Sequence, residues 1–386
     1  MIYVGVDVAK NTHYACVTDD KPKVLTSPFS FTNDETGFVK FKNLFAKYPV
    51  NDVIVGLEAT SIYGENLMAY LADLGYKIAL INPIETSSVR KTRIRNTKTD
   101  KIDAKNICKY LSKEEYRLMQ PKELAMLQVR GLCRFRQTVK KSNCRLKTQL
   151  ASYLDVSFPE FGSAFCSIHL KSAYAVLSDF PTANSISKAN IVKLTNILSS
   201  ASRGRFKREK ADELKSLAKR SVASSKNDMT FQIKNTIAQI QLIEAQLNEV
   251  EKRICAVFNE LDSIIQTIPG IGEINGSMIL SEIGDISRFS NPGQLIAFAG
   301  LDPITNQSGN FRAKSTRMSK RGSSVLRYAL INAAWNVSLN NDTFKSYYSE
   351  KFAQKGGHYA ALGHVAGKLT RVIFKILKDN VPFDLP

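Results

Sequence analysis

A chain of 386 residues, 44% hydrophobic and 23% charged, has the length for two or three compact domains and enough apolar content for real cores, which excludes wholesale disorder. Lysine and arginine outnumber aspartate and glutamate 54 to 35, a net charge of +19 that is too lopsided for an ordinary metabolic enzyme and suits a polyanionic partner. No apolar run reaches membrane-spanning length, the opening MIYVGVDVAK lacks a signal-peptide layout, and six cysteines without a CxxC pair read as reduced thiols of a cytosolic protein. Four histidines leave little for zinc sites or histidine-based triads.

In chain order, IYVGVDVA reads as a first strand, a turn follows at Lys10–Thr12, and HYACVTDD reads as a second strand. A third strand around Pro28–Thr32 leads to a helix over Gly37–Tyr48, where Phe38, Phe41, Leu44 and Phe45 recur at helical spacing. Val53–Leu57 is a buried-strand run ending in Glu58; Ile62–Leu74 reads as a helix, and Lys77–Asn82 as another strand closed by Pro83. Three strands and then alternating helix and strand predict a mixed sheet covered by helices, an α/β domain over residues 1–120. From Asp103 onward the pattern is mostly helical. Residues 121–258 read as a helical, coiled-coil region. Within it, 151–225 is rich in Ser, Ala and Lys and reads as an insertion or mobile subdomain. Ile233, Ile237, Ile240, Leu247, Val250, Ile254 and Val257 form a heptad-like stripe suited to an antiparallel or coiled-coil pair. Residues 259–386 form a separate, mostly α-helical domain.

Four carboxylates carry the chemical signal. Asp7 sits among Val4, Val6 and Val8, and Glu58 ends VIVGLE, positions where an acid is costly unless paired, hydrogen-bonded or metal-bound. Asp100 and Asp103, in KTDKIDAKNI, are three apart at a helix start, on one face and where the helix dipole tolerates negative charge. Together they could hold two Mg²⁺ (or Mn²⁺) ions, whose four positive charges would balance the four carboxylates; oxygen-only ligands favour these metals over zinc. The plainer reading makes Asp7 a strand-end residue and Asp100 a helix N-cap.

Arg312, Lys314, Arg317, Lys320, Arg321 and Arg327 stand in a stretch free of carboxylates between Asp302 and Asp342, a candidate phosphate-binding surface. Arg134, Arg136, Lys140 and Lys141 belong to another such stretch, residues 124–154, and Arg90, Lys91, Arg93, Arg95 and Lys98 crowd the approach to Asp100. Any of these could equally be a solvated face. Ser308, in the polar loop ITNQSGNF, is one candidate nucleophile among several; Ser315, Ser319, Ser323 and Ser324 compete, and none has a nearby histidine in sequence. IPGIG at Ile268–Gly272 reads as a helix–hairpin–helix turn able to touch phosphate, or as a plain connector. Trp335, the lone tryptophan, reads as core rather than as a base-stacking platform.

The order GVDVAK, GLEATSIYGENL, INP and RNTKTDKIDAKNI resembles the RuvC-like N-terminal domain of DEDD-type insertion-sequence transposases, relatives of the Piv pilin-gene invertase and of bridge-RNA-guided serine recombinases. The block IPGIGEINGSMILSEIGDISRFSNPGQLIAFAGLDP, followed by QSGNFRAKSTRMSKRGSSVLRYALINAAW, resembles their C-terminal transposase domain. The likeness covers about residues 1–150 and 228–386. It implies an RNase H-like (RuvC-like) N-terminal fold, a coiled-coil arm and a helical catalytic domain. It implies that Asp7, Glu58, Asp100 and Asp103 bind metal and that Ser308 is the nucleophile. It further implies target and donor DNA as substrates, a structured non-coding bridge RNA as guide, a nucleoid-associated bacterial setting, and a homotetramer (a dimer of dimers) in which the serine and the carboxylates come from different subunits. The length of 151–225 departs from the compact pattern. Two other enzyme readings stay open, a metal-dependent Holliday-junction-type nuclease using activated water and a DNA invertase without an RNA guide. So does a catalytically idle nucleic-acid scaffold.

Overall fold

The computed structural model describes residues 1–21, 23–58, 62–81, 99–114, 116–119, 121–224, 228–261, 263–304, 307–308, 311–312 and 317–384, with backbone alone at 62, 121–122, 124–125, 307–308 and 311–312. Two compact units emerge, Met1–Ala125 and Met126–Pro386.

The first unit holds strands β1 (Ile2–Asp7), β2 (Thr12–Asp19), β3 (Val24–Thr32), β4 (Val53–Glu58) and β5 (Lys77–Ile81), hydrogen-bonded in the order β3-β2-β1-β4-β5. β1, β2 and β3 form an antiparallel meander, whereas β4 and β5 run parallel to β1. Helices α1 (Glu35–Asn43) and α2 (Glu65–Asp73) make the crossovers that parallel strands require. Val53 to Leu57 of β4 are all buried, as expected for a strand covered on both faces. The aromatic spacing of α1 serves the core, with Phe31 of β3 and Phe41 stacked at 4.4 Å. β3 begins at Val24, earlier than the sequence pattern suggests, because exposed Val24 and Leu25 add an edge segment that no apolar alternation announces. A third helix, α3 (Asp100–Lys113), packs on this sheet. The mixed five-stranded sheet with helices after it is compatible with an RNase H-like N-terminal domain.

The second unit is organised by two long helices, α4 (Pro121–Ser157) and α9 (Thr230–Asn259). Arg136 pairs with Glu251 at 2.5 Å and Lys147 with Glu244 at 2.7 Å, so the two helices run antiparallel. Four helices, α5 (Lys171–Asp179), α6 (Ala183–Lys188), α7 (Ile191–Ala201) and α8 (Arg208–Lys219), close with Leu150 and Leu154 of α4 and Ile233, Ile237 and Ile240 of α9 into a core around Phe158 and Phe161. The stretch read from the sequence as an insertion or mobile subdomain thus has a helical fold with a core of its own. Its Ser- and Lys-rich composition hides aliphatic pairs at helical spacing, such as Leu194 with Leu198 and Leu214 with Ala218.

At the other end of the pair, Val129 and Cys133 of α4 and Val250, Ile254 and Phe258 of α9 join α10 (Glu273–Ile283), α11 (Pro292–Ala299), α12 (Ser324–Asn340), α13 (Asp342–Lys355) and α14 (His358–Asp379) in a second core. The single stripe read from the sequence thus divides between two cores, with ion pairs bridging the stretch between them. Among the described residues no helix is long and apolar enough to cross a membrane.

Candidate catalytic site

The sheet brings two of the four acids to one edge. Gly5 of β1 lies opposite Gly56 of β4 and Val6 opposite Leu57, so the register carries Asp7 and Glu58 to adjacent strand ends. Each acid follows its glycine by two residues, and the alternation of a strand places it on the same face as that glycine. α3 covers this face. A Cβ on Gly5 would stand 2.4 Å from the Ala104 carbonyl oxygen and 2.6 Å from the Cys108 nitrogen, and one on Gly56 2.8 Å from Leu111 Cδ1, so only glycine admits the helix this closely. The Gly5 N–H donates to Cys108 Sγ at 3.0 Å, and the same sulfur lies 3.0 Å from the Cys16 carbonyl and 3.6 Å from that of Tyr3. From Cys108 back to Ala104, α3 therefore travels from Tyr3 toward Gly5, and its first turn continues toward Asp7. One helical turn (about 5.4 Å) nearly matches two strand residues (about 6.6 Å), so Asp100, a turn before Ala104, comes near the level of Asp7, while Asp103 stays closer to that of Gly5. The carboxyl ends of parallel strands are where open α/β sheets bind ligands.

Asp7 and Glu58 are half-buried, Asp100 is exposed and Asp103 is buried. The N-cap of α3 is Thr99, whose hydroxyl accepts from Ile102 N at 3.4 Å; Asp100 is instead the first helical residue, so capping does not explain it. Two neighbours escaped the sequence reading. His13 is fully buried, its Nδ1 accepts the Ala9 N–H at 3.1 Å just beyond Asp7, and burial pushes its pKa down, keeping the ring neutral. Asn106, one turn past Asp103, is 2% exposed and its amide finds no hydrogen bond. A buried amide oxygen without a partner and an all-carboxylate set of hard donors fit a Mg²⁺- or Mn²⁺-type cation. As they stand, no three His, Cys, Asp or Glu side chains among the described residues converge closely enough to hold one.

Ser308 lies in the two-residue strand β6 (Gln307–Ser308), paired antiparallel with β7 (Phe311–Arg312) so that Ser308 faces Phe311. The arms below this hairpin are zipped: Ile304 N donates to Arg317 O and Ser319 N to Asp302 O, both at 2.8 Å, and Ser319 Oγ donates to Asp302 Oδ1 at 2.5 Å. Ser319 and Ser323 are thereby occupied structurally, the latter as the N-cap of α12. At Gly322, φ is +118° and a Cβ would meet the Phe298 carbonyl at 2.3 Å, so the turn that returns the chain to α12 requires glycine.

The basic residues sort into distinct groups. Arg134 donates to Glu282 at 2.7 and 3.2 Å, and Ser323 Oγ donates to the same carboxylate at 2.8 Å. Glu282 is 2% exposed; burial works to raise its pKa, but hydrogen bonds from Arg134 and Ser323 and the charges of Arg134 and Arg130 prevail and hold it below the usual value. It ties α4, α10 and the start of α12 together, and the lone acid in the apolar run SMILSEIG was its signal in the sequence. Arg136 is engaged by Glu251, and Arg327 donates to the Ala299 carbonyl at 3.0 Å. Arg317, Lys320 and Arg321 are exposed at the foot of the Ser308 hairpin. Lys140 and Lys141 are exposed as well and line a groove of about 720 Å³ with Arg145 and Tyr328. Arg90, Lys91, Arg93, Arg95, Lys98 and Lys314 lie outside the described residues, as does the side chain of Arg312.

The IPGIG turn packs on α12. Gly270, at φ +93°, would bring a Cβ within 2.7 Å of the Asn336 carbonyl group, and Ile268 and Ile271 are buried, so close helix packing accounts for the motif. Trp335 departs from expectation. It is 37% exposed, because it projects from the side of α12 toward the aromatic residues of α13 and α14 rather than into the core.

Residues 4–159 match a transposase domain model of the DEDD type of IS110 elements, and residues 262–349 match the Transposase IS116/IS110/IS902 family. The chain is 25% identical to a pilin gene-inverting protein of Moraxella lacunata over 99% of its own length and 97% of the relative's. It is 23% identical to the mini-circle putative transposase for IS117 of Streptomyces coelicolor, covering 99% and 95% of the two chains. It is 25% identical to the transposase for insertion sequence element IS1111A of Coxiella burnetii, covering 97% and 89%. Two domain models in the family's order, and relatives aligned nearly end to end, identify the chain as a member of the IS110/IS116 family of transposases, enzymes that cleave and rejoin DNA.

Proposed function

We propose that this transposase breaks and rejoins DNA strands through a phosphoserine formed on Ser308, with a divalent cation held by Asp7, Glu58, Asp100 and Asp103. The observation that supports the reading is the adjacency of the β1 and β4 strand ends beneath α3, whose Ala104–Leu111 stretch is seated on Gly5 and Gly56. In the first step Ser308 Oγ attacks phosphorus. The Oγ–P bond forms as the P–O3′ bond breaks, and the serine proton ends on the departing 3′ oxygen. A 3′ hydroxyl of another strand then attacks the phosphoserine, restores a phosphodiester and returns the proton to Ser308, so rejoining needs no external energy. A cation bound by the carboxylates would neutralise phosphate charge and stabilise the leaving oxygen. Arg317, Lys320 and Arg321, with Arg312, Lys314 and the cluster from Arg90 to Lys98, hold the backbone, which makes affinity steeply salt-dependent.

Sequence choice is delegated to a structured RNA that pairs with target and donor DNA, while the protein contacts shape and backbone. The working form is a homotetramer in which one subunit's carboxylates serve another's serine. The end-to-end likeness to pilin gene-inverting proteins supports inversion as a further outcome of the same chemistry.

Ser308→Ala tests the scheme. The variant should form no denaturation-resistant protein–DNA adduct while binding nucleic acid as the parent does. An adduct that persists removes Ser308 from the role, and parental hydrolysis without any adduct favours an activated-water nuclease. Absence of a discrete co-purifying RNA removes the guide.

A further inference from the structure

Five aromatic rings gather on one outer face of the C-terminal helices. Trp335 of α12 meets His358 at 5.0 Å and Tyr348 at 5.5 Å, both edge to face. Tyr348 in turn lies 6.0 Å from Phe352, and His358 lies 5.2 Å from Tyr359. The cluster is fixed rather than loose, since the Tyr348 hydroxyl and His358 Nδ1 are hydrogen-bonded at 2.8 Å and Tyr348 and His358 are half-buried. Yet Trp335 is 37%, Phe352 47% and Tyr359 80% exposed. Rings held this rigidly and left open to water form a surface that something flat can cover.

The charge around the cluster names the occupant. Across α13 and α14, residues 342 to 379, seven lysines and arginines stand against three carboxylates, Asp342, Glu350 and Asp379, the last paired with Lys375 at 3.0 Å. Glu350 is already paired with Lys351 at 3.0 Å, whereas Lys345 and Lys355 are exposed. A rim with a net positive charge disfavours a second copy of the same face and attracts a polyanion. An aromatic platform inside a cationic rim is the chemistry that binds single-stranded nucleic acid, whose bases stack while its phosphates meet the lysines. Duplex DNA keeps its bases stacked on one another and has no ring face to offer.

We infer that Trp335, Phe352 and Tyr359 form a stacking platform for unpaired bases of a single strand. The inference rests on the strand-exchange reading above, in which cutting and rejoining leave bases transiently without partners. It adds a specific place where such a strand is held.

Trp335 is the chain's sole tryptophan, so its emission reports directly on stacking. The full chain, in the Ser308→Ala background to block cleavage, is titrated with a 20-nucleotide oligothymidylate and with an abasic strand of equal length. Oligothymidylate should quench the emission strongly and the abasic strand should not. The double variant Phe352→Ala/Tyr359→Ala, at two exposed positions, should bind oligothymidylate about tenfold more weakly with less than a twofold change for duplex DNA of equal length. Equal quenching by both strands, or unchanged single-strand affinity, overturns the platform. So does a change of oligomeric state in the double variant with unchanged single-strand affinity, which would mark the face as a contact between copies. Failure of the strand-exchange reading would show separately, as absence of the adduct in the parent protein carrying Ser308.

Discussion

The two units manage charge in opposite ways. In the first, the acids sit immediately after the apolar runs that position them, Gly5-Val6-Asp7 and Gly56-Leu57-Glu58, and the neighbouring strand supplies the register. In the second, a basic residue's role is set by a partner far along the chain: Arg134 reaches Glu282 across 148 positions and Arg136 reaches Glu251 across 115. Lys140 and Lys141, a single turn further along α4, have their side chains in solvent. The lesson is that a charged residue at a strand end reports its own placement, whereas one on a long helix is assigned by the helix that faces it.

The sharpest way to break this contrast is at Asp7. Asp7→Asn keeps the shape of the side chain and removes its charge, so folding should be nearly unaffected. Adduct formation should fall on the order of a thousandfold, the scale expected when several kcal/mol of transition-state charge stabilisation is lost. Thermal stabilisation of the parent by millimolar Mn²⁺ should disappear in the variant, a readout independent of turnover. If Asp7→Asn instead lowers the melting temperature and leaves adduct formation intact, the acid belongs to the fold and the strand-end grouping is not a cation site.

The reverse outcome is expected at the Arg134–Glu282 pair, and the two partners should differ. Arg134→Met leaves a carboxylate that is 2% exposed without its main partner, at a cost of about 3–5 kcal/mol. Glu282→Gln leaves the Arg134 side chain, half of which already reaches water, and should cost less, about 1–3 kcal/mol. Denaturant melts of both variants check the order. Loss of DNA affinity in Arg134→Met without loss of stability would return Arg134 to the nucleic-acid surface.

These differences explain how much could be read beforehand. The sheet, its crossovers and the placing of Asp7 and Glu58 at adjacent strand ends follow from local runs and from helix and strand periods, which a single sequence displays. The glycine seat was visible as letters but not as function, because its meaning is the distance to Ala104 and Cys108 on a helix about a hundred residues away. His13 and Asn106 gave no signal, since burial is a property of the folded neighbourhood. The helical subdomain over 158–219 was hidden for another reason. Its core is made of scattered Leu, Ile and Ala in a polar background, and only the helical period shared by α7 and α8 shows which of them point inward. Trp335 misled because tryptophan is usually covered, and whether its face is covered depends on how α13 and α14 come together.

The smallest effect concerns pH and belongs to that subdomain. His169 Nδ1 lies 3.0 Å from the Tyr174 hydroxyl, and its pKa is pushed below the ordinary 6.5 by burial first and by the Lys147 charge second, with Glu244 opposing. Below pH 6.5 the unfolded chain therefore takes up a proton that the folded chain refuses, so this contribution to stability is full above 6.5 and declines as the pH falls toward the folded-state pKa. His169→Gln, which cannot titrate, should flatten the decline in melting temperature between pH 7.5 and 5.5, leaving the shares of His13 and His364, both also shifted down by burial. Since Lys147 and Glu244 form one of the ion pairs that join α4 to α9, Glu244→Gln should push the His169 pKa further down and steepen the same curve. A curve unchanged in both variants would show that the Lys147 charge does not reach the ring, and that the pairing of α4 with α9 is electrically separate from the subdomain it carries.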